Sequence, residues 1–358
     1  MAKKEYVSID IGYGFVKAIS SNGKRALFPS IVGTGRDRGL ANFLKREENK
    51  LDLSELHIKI NGKHYYVGDM ADKNSSDGSR VFERERFNHD YTKVLLNVGI
   101  QLVASEDTKE VVLFTGLPLE YYKSQVKPFE MSLLEETPEI EWVSGLPSGK
   151  RKVKVTQAKV FPQGMSAIWA TLINHEGKFL KPELMSEGNQ IAVIDIGFRT
   201  TDVCVVEMKE GGGFLPLLPL SDTIDQGVVN LNDNIKRAYQ DKTGGSDLSE
   251  SKINKIIKNQ FITYKGKRIE LANEVGESHQ AVANSVSDRI SKLWKDESDT
   301  FEQIFVVGGG GSLFTKYLQP NFDNRLLNIV DSQYANAIGY YRIGKMLIGD
   351  TQPEKIAN

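Results

Sequence analysis

A single cysteine, Cys204, stands among 358 residues. That excludes an internal disulfide and a thiolate metal cluster and agrees with a reducing compartment, the cytoplasm by default. Histidine is also sparse: His57, His64, His89, His175 and His279 show no metal-binding spacing and receive no role. An excess of one charge is missing, since 46 Lys and Arg are matched by 47 Asp and Glu. A chain of net charge −1 offers no broad field to gather nucleic acid by counterion release, so a connection to DNA is expected to be local or indirect. No run approaches the about 20 apolar residues of a membrane span. The Lys-rich, polar start lacks the apolar stretch of a signal peptide, and the polar end from Gly349 to Asn358, with Pro353, does not resemble an amphipathic anchor. No membrane attachment is expected.

What is present is apolar mass for real cores, 40% of residues, in a chain longer than the about 250–300 residues at which one core stops growing. Two domains follow. An internal repeat says how they are built: Val7-Ser8-Ile9-Asp10-Ile11-Gly12 returns as Val193-Ile194-Asp195-Ile196-Gly197, offset by 185 residues. Each copy runs on into a second β-rich stretch. Residues 6–11 and 15–19 read as two strands around a glycine turn, and 190–196 with 202–207 read the same way. Duplicated hairpins imply two domains built alike.

Between the copies, a strand is predicted over 110–114, closed by Thr115-Gly116-Leu117-Pro118, and another over 153–161. Strands alternating with helical patterns indicate an α/β fold. In the second half Val228, Leu231, Ile235 and Ala238 share a helical face, and a longer helix carries Leu271, Val275, Val282, Val286, Ile290 and Leu293 on its buried stripe. A buried strand over 301–307 leads into Gly308 to Gly311. Residues 33–79 and 240–267 read as surface insertions forming small subdomains. The run Lys252, Lys255, Lys258, Lys265, Lys267 and Arg268 reads as a solvated helix and loop face in preference to an electrostatic contact surface. The expected domains are 1–162 with 332–358, and 163–331.

The repeats carry the chemistry. A nucleoside triphosphate with its Mg²⁺ needs backbone N–H groups aimed at phosphate oxygens, a cation near the terminal phosphates, and carboxylates for the metal's water shell. In the first copy Gly12 and Gly14, on either side of Tyr13, let the backbone turn tightly against an oxyanion. Lys17 follows within reach, and Asp10 at a strand end is placed to hold a metal-bound water. In the second copy Asp195 and Gly197 are followed by Phe198, Arg199, Thr200 and Thr201, and Asp202 occupies the position of Lys17. One hairpin offers a cation and the other a carboxylate, an asymmetry suited to placing a water on a terminal phosphate. Either Asp-Ile-Gly alone would be a strand ending in a turn; their duplication favours phosphate binding.

This pair of motifs resembles the actin, Hsp70 and hexokinase superfamily, from Val7 to Arg342. A third signature, Val306 to Ser312, is similar to the family's adenosine motif, with Gly308, Gly309, Gly310 and Ser312 as its contacts. The resemblance implies an actin-like α/β fold: two duplicated ribonuclease-H-like domains flanking a nucleotide cleft, with small inserted subdomains. Phe161-Pro162-Gln163-Gly164-Met165-Ser166-Ala167 resembles the first interdomain connection, opening a helix that buries Ile168, Trp169 and Leu172. Gln163 falls where members carry the side chain that orients the attacking water. Asp331 to Gly339 resembles the second connection.

Within the superfamily, the run Thr115 to Tyr122 is most similar to the bacterial ParM/StbA plasmid-segregation actins and related archaeal actins. Phe198 and Arg199 depart from the small residues common there, and Arg199 either clamps a phosphate or caps the turn. Asn230 and Asp233, after Gly227, are the implied ribose contacts. The resemblance further implies Mg-ATP or Mg-GTP as ligand, head-to-tail self-assembly into filaments, and slow hydrolysis with Gln163 and Asp202 as catalytic residues. It also implies an adaptor protein bound to centromeric plasmid DNA as partner. The alternative is a non-polymerising small-molecule kinase of the same superfamily, which needs a catalytic Asp and a polar substrate pocket that the sequence does not identify.

Overall fold

The computed structural model describes residues 5–37, 51–80, 88–135, 137–147, 149–174 and 178–349. Residues 38–50 of the first expected insertion, His175 and the tail from 350 lie outside the described residues. The chain divides into two compact units, Met1–Leu180 with Tyr334–Asn358, and Lys181–Gln333.

The first unit starts from β1 (Glu5–Ile11), buried along its whole length as a strand covered on both faces must be. A tight turn returns the chain as antiparallel β2 (Phe15–Ser20), which sets Asp10 opposite Lys17, and β3 (Arg25–Pro29) continues the meander. The next strands leave this sheet: β4 (Val32–Thr34), β5 (His57–Ile60) and β6 (Lys63–Val67), followed by the short α1 (Asp69–Asn74). Helix α2 (Asp90–Val103) packs an apolar face on β1 and β2. Then β7 (Glu110–Leu117) joins β1 in parallel, and α3 (Leu119–Leu133) leads to β8 (Ile140–Ser144) and β9 (Gly149–Arg151). Finally β10 (Lys154–Pro162) lies parallel to β7, and α4 (Met165–Leu172) follows. The main sheet has the order β10-β7-β1-β2-β3, and a smaller one the order β4-β6-β5-β8-β9.

Two features here differ from the sequence reading. The strand predicted over 110–114 runs on to Leu117, because Gly116 and Leu117 remain paired with Phe161 and Pro162. The insertion is not self-contained: β5 pairs with β8, a strand the sequence reading did not pick out. Burial of Ile58, Ile140 and Trp142 fixes that pairing, and the indole N–H of Trp142 donates to Gln101 Oε1 at 2.7 Å.

The second unit repeats the plan. Its strands are β11 (Gln190–Ile196), β12 (Thr201–Met208), β13 (Phe214–Pro216) and β14 (Asp222–Ile224). After these come α5 (Val228–Thr243), α6 (Glu250–Asn259), the hairpin β15 (Phe261–Tyr264) and β16 (Lys267–Glu270), and the long α7 (Ala272–Trp294). Then β17 (Gln303–Val307), α8 (Gly311–Leu318) and β18 (Leu326–Asn328) complete it. The sheet path β13-β12-β11-β17-β18 repeats that of the first unit, an antiparallel hairpin flanked by two parallel strands on one side, with β14 added against β12 as a sixth strand. Val275, Val282, Val286, Ile290 and Trp294 bury the 3.6-residue stripe of α7. In α6 the lysines at 252, 255 and 258 are exposed while Ile253 and Ile256 are buried, so that helix is amphipathic and its basic side is solvated.

The chain then returns to the first unit as α9 (Ala335–Leu347). This helix lies very close to its neighbours: a Cβ at Gly339 would stand 1.8 Å from Ser166 O, and one at Gly344 2.5 Å from the Phe114 ring. Contact between α9 and α4 explains why the unit boundary falls at Leu180 and Lys181, not at the expected 162/163. Helix α4 belongs with the helix that returns; its Ile168 and Leu172 are buried, and Trp169 is half-buried.

Candidate functional site

Each hairpin turn is built by the same bond. Gly12 N donates to Phe15 O at 3.1 Å, and Gly197 N to Thr200 O at 2.8 Å, the equivalent pair. In the first unit the register that places Asp10 opposite Lys17 brings Lys17 Nζ to 2.8 Å from Asp10 Oδ2. The other carboxylate oxygen, Oδ1, accepts from Gln163 Nε2 at 3.1 Å. Gln163 is buried just beyond β10, where Gly164 at φ +71° turns the chain into α4 and donates its N–H to Asn336 Oδ1 at 3.0 Å. Three residues singled out separately in the sequence, Asp10, Lys17 and Gln163, thus converge. A side chain at Gly12 would crowd the site, since a Cβ would lie 2.8 Å from Lys17 Nζ and 3.0 Å from Phe15 O. Tyr13 is half-buried and Gly14 buried in the same turn.

In the second unit the equivalent register sets Asp195 opposite Asp202. Facing carboxylates on adjacent strands repel. Asp202 Oδ1 accepts from the Thr223 hydroxyl at 2.6 Å. The glycine run after β17 folds onto this hairpin: Gly310 N donates to Ile196 O at 2.8 Å, and Gly308, at φ +84°, would place a Cβ 2.3 Å from Asp195 Oδ1. Two buried acids, a glycine cradle and a helix start therefore share one end of the unit.

Two family models match the chain, one described as the N-terminal domain of actin-like proteins over residues 8–165, the other as the C-terminal part of the MreB-like archaeal actin homologue over residues 193–320. Both models, with the solved structures below, agree on the actin-like fold. An archaeal actin homologue of Thermoplasma volcanium is 26% identical over 341 residues, which are 93% of this chain and 97% of that one. Among solved structures, a subunit of a 15-stranded ParM filament from Clostridium botulinum matches with TM-score 0.84 at 28% identity, covering 96% of this chain and 99% of the other. A non-polymerisable quadruple mutant of ParM matches with TM-score 0.81 at 27% identity, covering 96% and 100%.

The remaining residues of this actin-like fold fall into place unevenly. Thr201 is fully buried and its hydroxyl donates to Gln226 O at 2.8 Å, while Thr200 stays half-buried in the turn. Arg199 Nε lies 3.5 Å from Asp225 Oδ1. Gly227 is pressed against the turn, with room for no Cβ: Phe198 O would be 2.7 Å away. Asn230 Oδ1 accepts from Gly227 N at 2.9 Å, so this side chain caps α5. Asn230 and exposed Asp233 line a groove with Gln226, Asn234 and Arg237. Ser312 lines a different groove, with Gln260, Gly276, His279 and Lys316, and Gly309 faces Gln333. Among the described residues no three His, Cys, Asp or Glu side chains gather into a metal centre. No described helix is long and apolar enough to cross a membrane. Cys204 is fully buried in β12. Sequence reasoning gave no role to Thr223, Ser30 and Arg80, which belong to no local motif, or to Asn336, which lies in the run resembling the second connection; each holds a site residue from behind.

Proposed function

We propose that the chain binds Mg-ATP or Mg-GTP through both hairpins, assembles head to tail into filaments, and hydrolyses the nucleotide slowly after assembly. The observation that carries this reading is the convergence of Lys17 and Gln163 on the two oxygens of Asp10, repeated in the second unit by an acid pair at equivalent positions. The residues fit the ligand. Mg²⁺ keeps several waters and takes only one or two carboxylates besides phosphate oxygens, so a single buried carboxylate, Asp10 in the first unit or Asp195 in the second, would serve it through water without a protein-built cage. When bound, it offsets the charge on the outer phosphate oxygens.

The chain's own groups supply the rest. Lys17 provides a cation at the first turn. In the first unit Gln163, fixed by its bond to Asp10, is the group to orient a water, and in the second unit Asp202, oriented by Thr223, is a hydrogen-bond acceptor for water. The turn residues Gly12, Tyr13, Gly14, Gly197, Arg199 and Thr200 serve phosphate, whereas Thr201, expected among them, is fully buried with its hydroxyl on Gln226 O and drops out. Gly308, Gly309 and Gly310, with Gly227, Asn230 and Asp233 at the start of α5, serve the adenosine; Ser312, expected with them, lines a different groove. Filament assembly is supported by likeness to a subunit of a ParM filament at 28% identity over nearly the whole chain. Segregation of plasmid DNA in the cytoplasm through an adaptor on centromeric DNA is the cellular role in keeping with that likeness, and a net charge of −1 suits indirect attachment.

Calorimetric titration with Mg-ATP, Mg-GTP and Mg-ADP tests the ligand. Saturable binding by the wild type, weakened in Lys17→Ala, is expected. Absence of binding with all three contradicts the reading.

A further inference from the structure

The two turns are copies, yet different groups stand behind them. In the second unit the carbonyls of Gly197 and Phe198 accept from Val228 N at 3.2 Å and Val229 N at 2.7 Å, the first amides of α5. These are amides that a helix start leaves without intrahelical partners. In the first unit the equivalent carbonyls are held by side chains. Gly12 O accepts from the Ser30 hydroxyl at 2.7 Å. Tyr13 O accepts from Arg80 Nη1 at 3.0 Å, and the same nitrogen reaches Gly14 O. Gly14 O also accepts from Ser30 N at 2.9 Å.

Geometry gives these bonds a consequence. In a trans peptide the C=O of one residue and the N–H of the next point in opposite directions. Drawing the carbonyls of Gly12, Tyr13 and Gly14 backward therefore turns the N–H groups of Tyr13, Gly14 and Phe15 forward, as a concave nest that suits an anion.

Arg80 is itself anchored. Ser79 and Val32 exchange two backbone bonds, of 3.2 and 3.1 Å. Two residues earlier, Asp77 accepts from Thr34 N at 2.9 Å and from the Thr34 hydroxyl at 2.5 Å. The Ser75 hydroxyl, then the Thr34 hydroxyl and amide, hold the Asp77 carboxyl down at about 2, so this strap stays charged and tied to β4 across the ordinary pH range.

We propose that Arg80, with Ser30, is the positioning clamp of the first phosphate turn, the side-chain counterpart of the start of α5 behind the second. The proposal rests on the nucleotide reading above for its ligand and on the hydrogen bonds alone for its geometry.

The test combines hydrogen exchange of the Tyr13, Gly14 and Phe15 amides in the nucleotide-free protein with the affinity for Mg-ADP and Mg-ATP. Arg80→Ala is expected to speed that exchange and to raise Kd, each by about tenfold, with a melting temperature within about 3 °C of wild type. Arg80→Lys, which keeps a cationic donor, recovers most of both. Unchanged exchange in Arg80→Ala overturns the proposal, as does a change shared equally by amides throughout the unit. Should Arg80→Ala fail to fold, Ser30→Ala reads the same amides: a severalfold rise is expected, and no rise overturns the clamp. Because exchange needs no ligand, a wild type that binds no nucleotide refutes the functional reading while the clamp is still judged on exchange.

Discussion

The side-chain amide of Gln163 donates to Asp10 Oδ1 at 3.1 Å, across 153 residues of sequence. The residue expected to orient a water is thus held by the carboxylate expected to serve the metal, whose other oxygen is taken by Lys17. Gln163→Ala removes a preorganised group, and such losses typically slow turnover by about 10²–10³-fold. Phosphate release should fall by that order, while pelleting of assembled protein with Mg-triphosphate is retained. Normal phosphate release in the variant removes Gln163 from the catalytic role.

At Gly339 α9 lies close against α4, with Ser166 O 1.8 Å from where a Cβ would stand. Backbone cannot yield as a flexible side chain can, so Gly339→Ala should destabilise the first unit by about 1–3 kcal/mol. Urea unfolding followed by Trp fluorescence would read it as a lower midpoint with an unchanged slope. An unchanged midpoint would mean that the two helices are not packed so closely.

His279 is buried in α7, its Nδ1 2.7 Å from Val275 O and its ring stacked on Tyr317 at 5.1 Å. Burial holds its pKa below the ordinary 6.5, aided by nearby Lys316 and opposed by the Val275 bond. The unfolded chain therefore takes up this proton more readily than the folded one. The contribution is fully present above about pH 6.5 and is lost as pH falls toward the lower folded value. Comparing unfolding midpoints at pH 7.5 and 5.5 should show a fall that His279→Gln makes smaller. An identical fall in the variant would assign it to other groups.

Cys204 is fully buried between strands, and burial, then the Asp202 and Asp195 carboxylates, push its thiol well above the usual range. A buried, protonated thiol is a poor nucleophile. The native protein should be inert to an aromatic disulfide reagent and should release its single equivalent only on unfolding. Rapid reaction of the folded protein would contradict the position of β12 in the core.

Much of this was legible because the chemistry lies in short runs. Asp10 to Lys17 and Asp195 to Asp202 each contain strand, turn and facing residue within eight positions, so one register delivers the geometry. The stripe of α7 was readable for the same local reason. What stayed hidden depends on distant partners: Asn336 meets Gly164 across 172 residues, Arg80 meets Tyr13 across 67, and Thr223 meets Asp202 across 21. Neither periodicity nor motif records such pairings. The difference between the compact units and the expected 162/163 division has the same origin, since nothing near α4 says that its neighbour is α9. Asn230 carried a polar side chain at a helix start, and the backbone took it as a cap.

The central claim, a nucleotide-driven self-assembling actin-like protein, is tested most directly by light scattering of the purified chain after addition of Mg-ATP or Mg-GTP, with Mg-ADP as control and phosphate release followed in parallel. The account predicts a rapid rise with triphosphate only, then phosphate release and decay of the signal. A flat trace at every protein concentration, with nucleotide demonstrably bound, would contradict filament assembly and turn the reading toward a kinase or another nucleotide-dependent switch on the same fold.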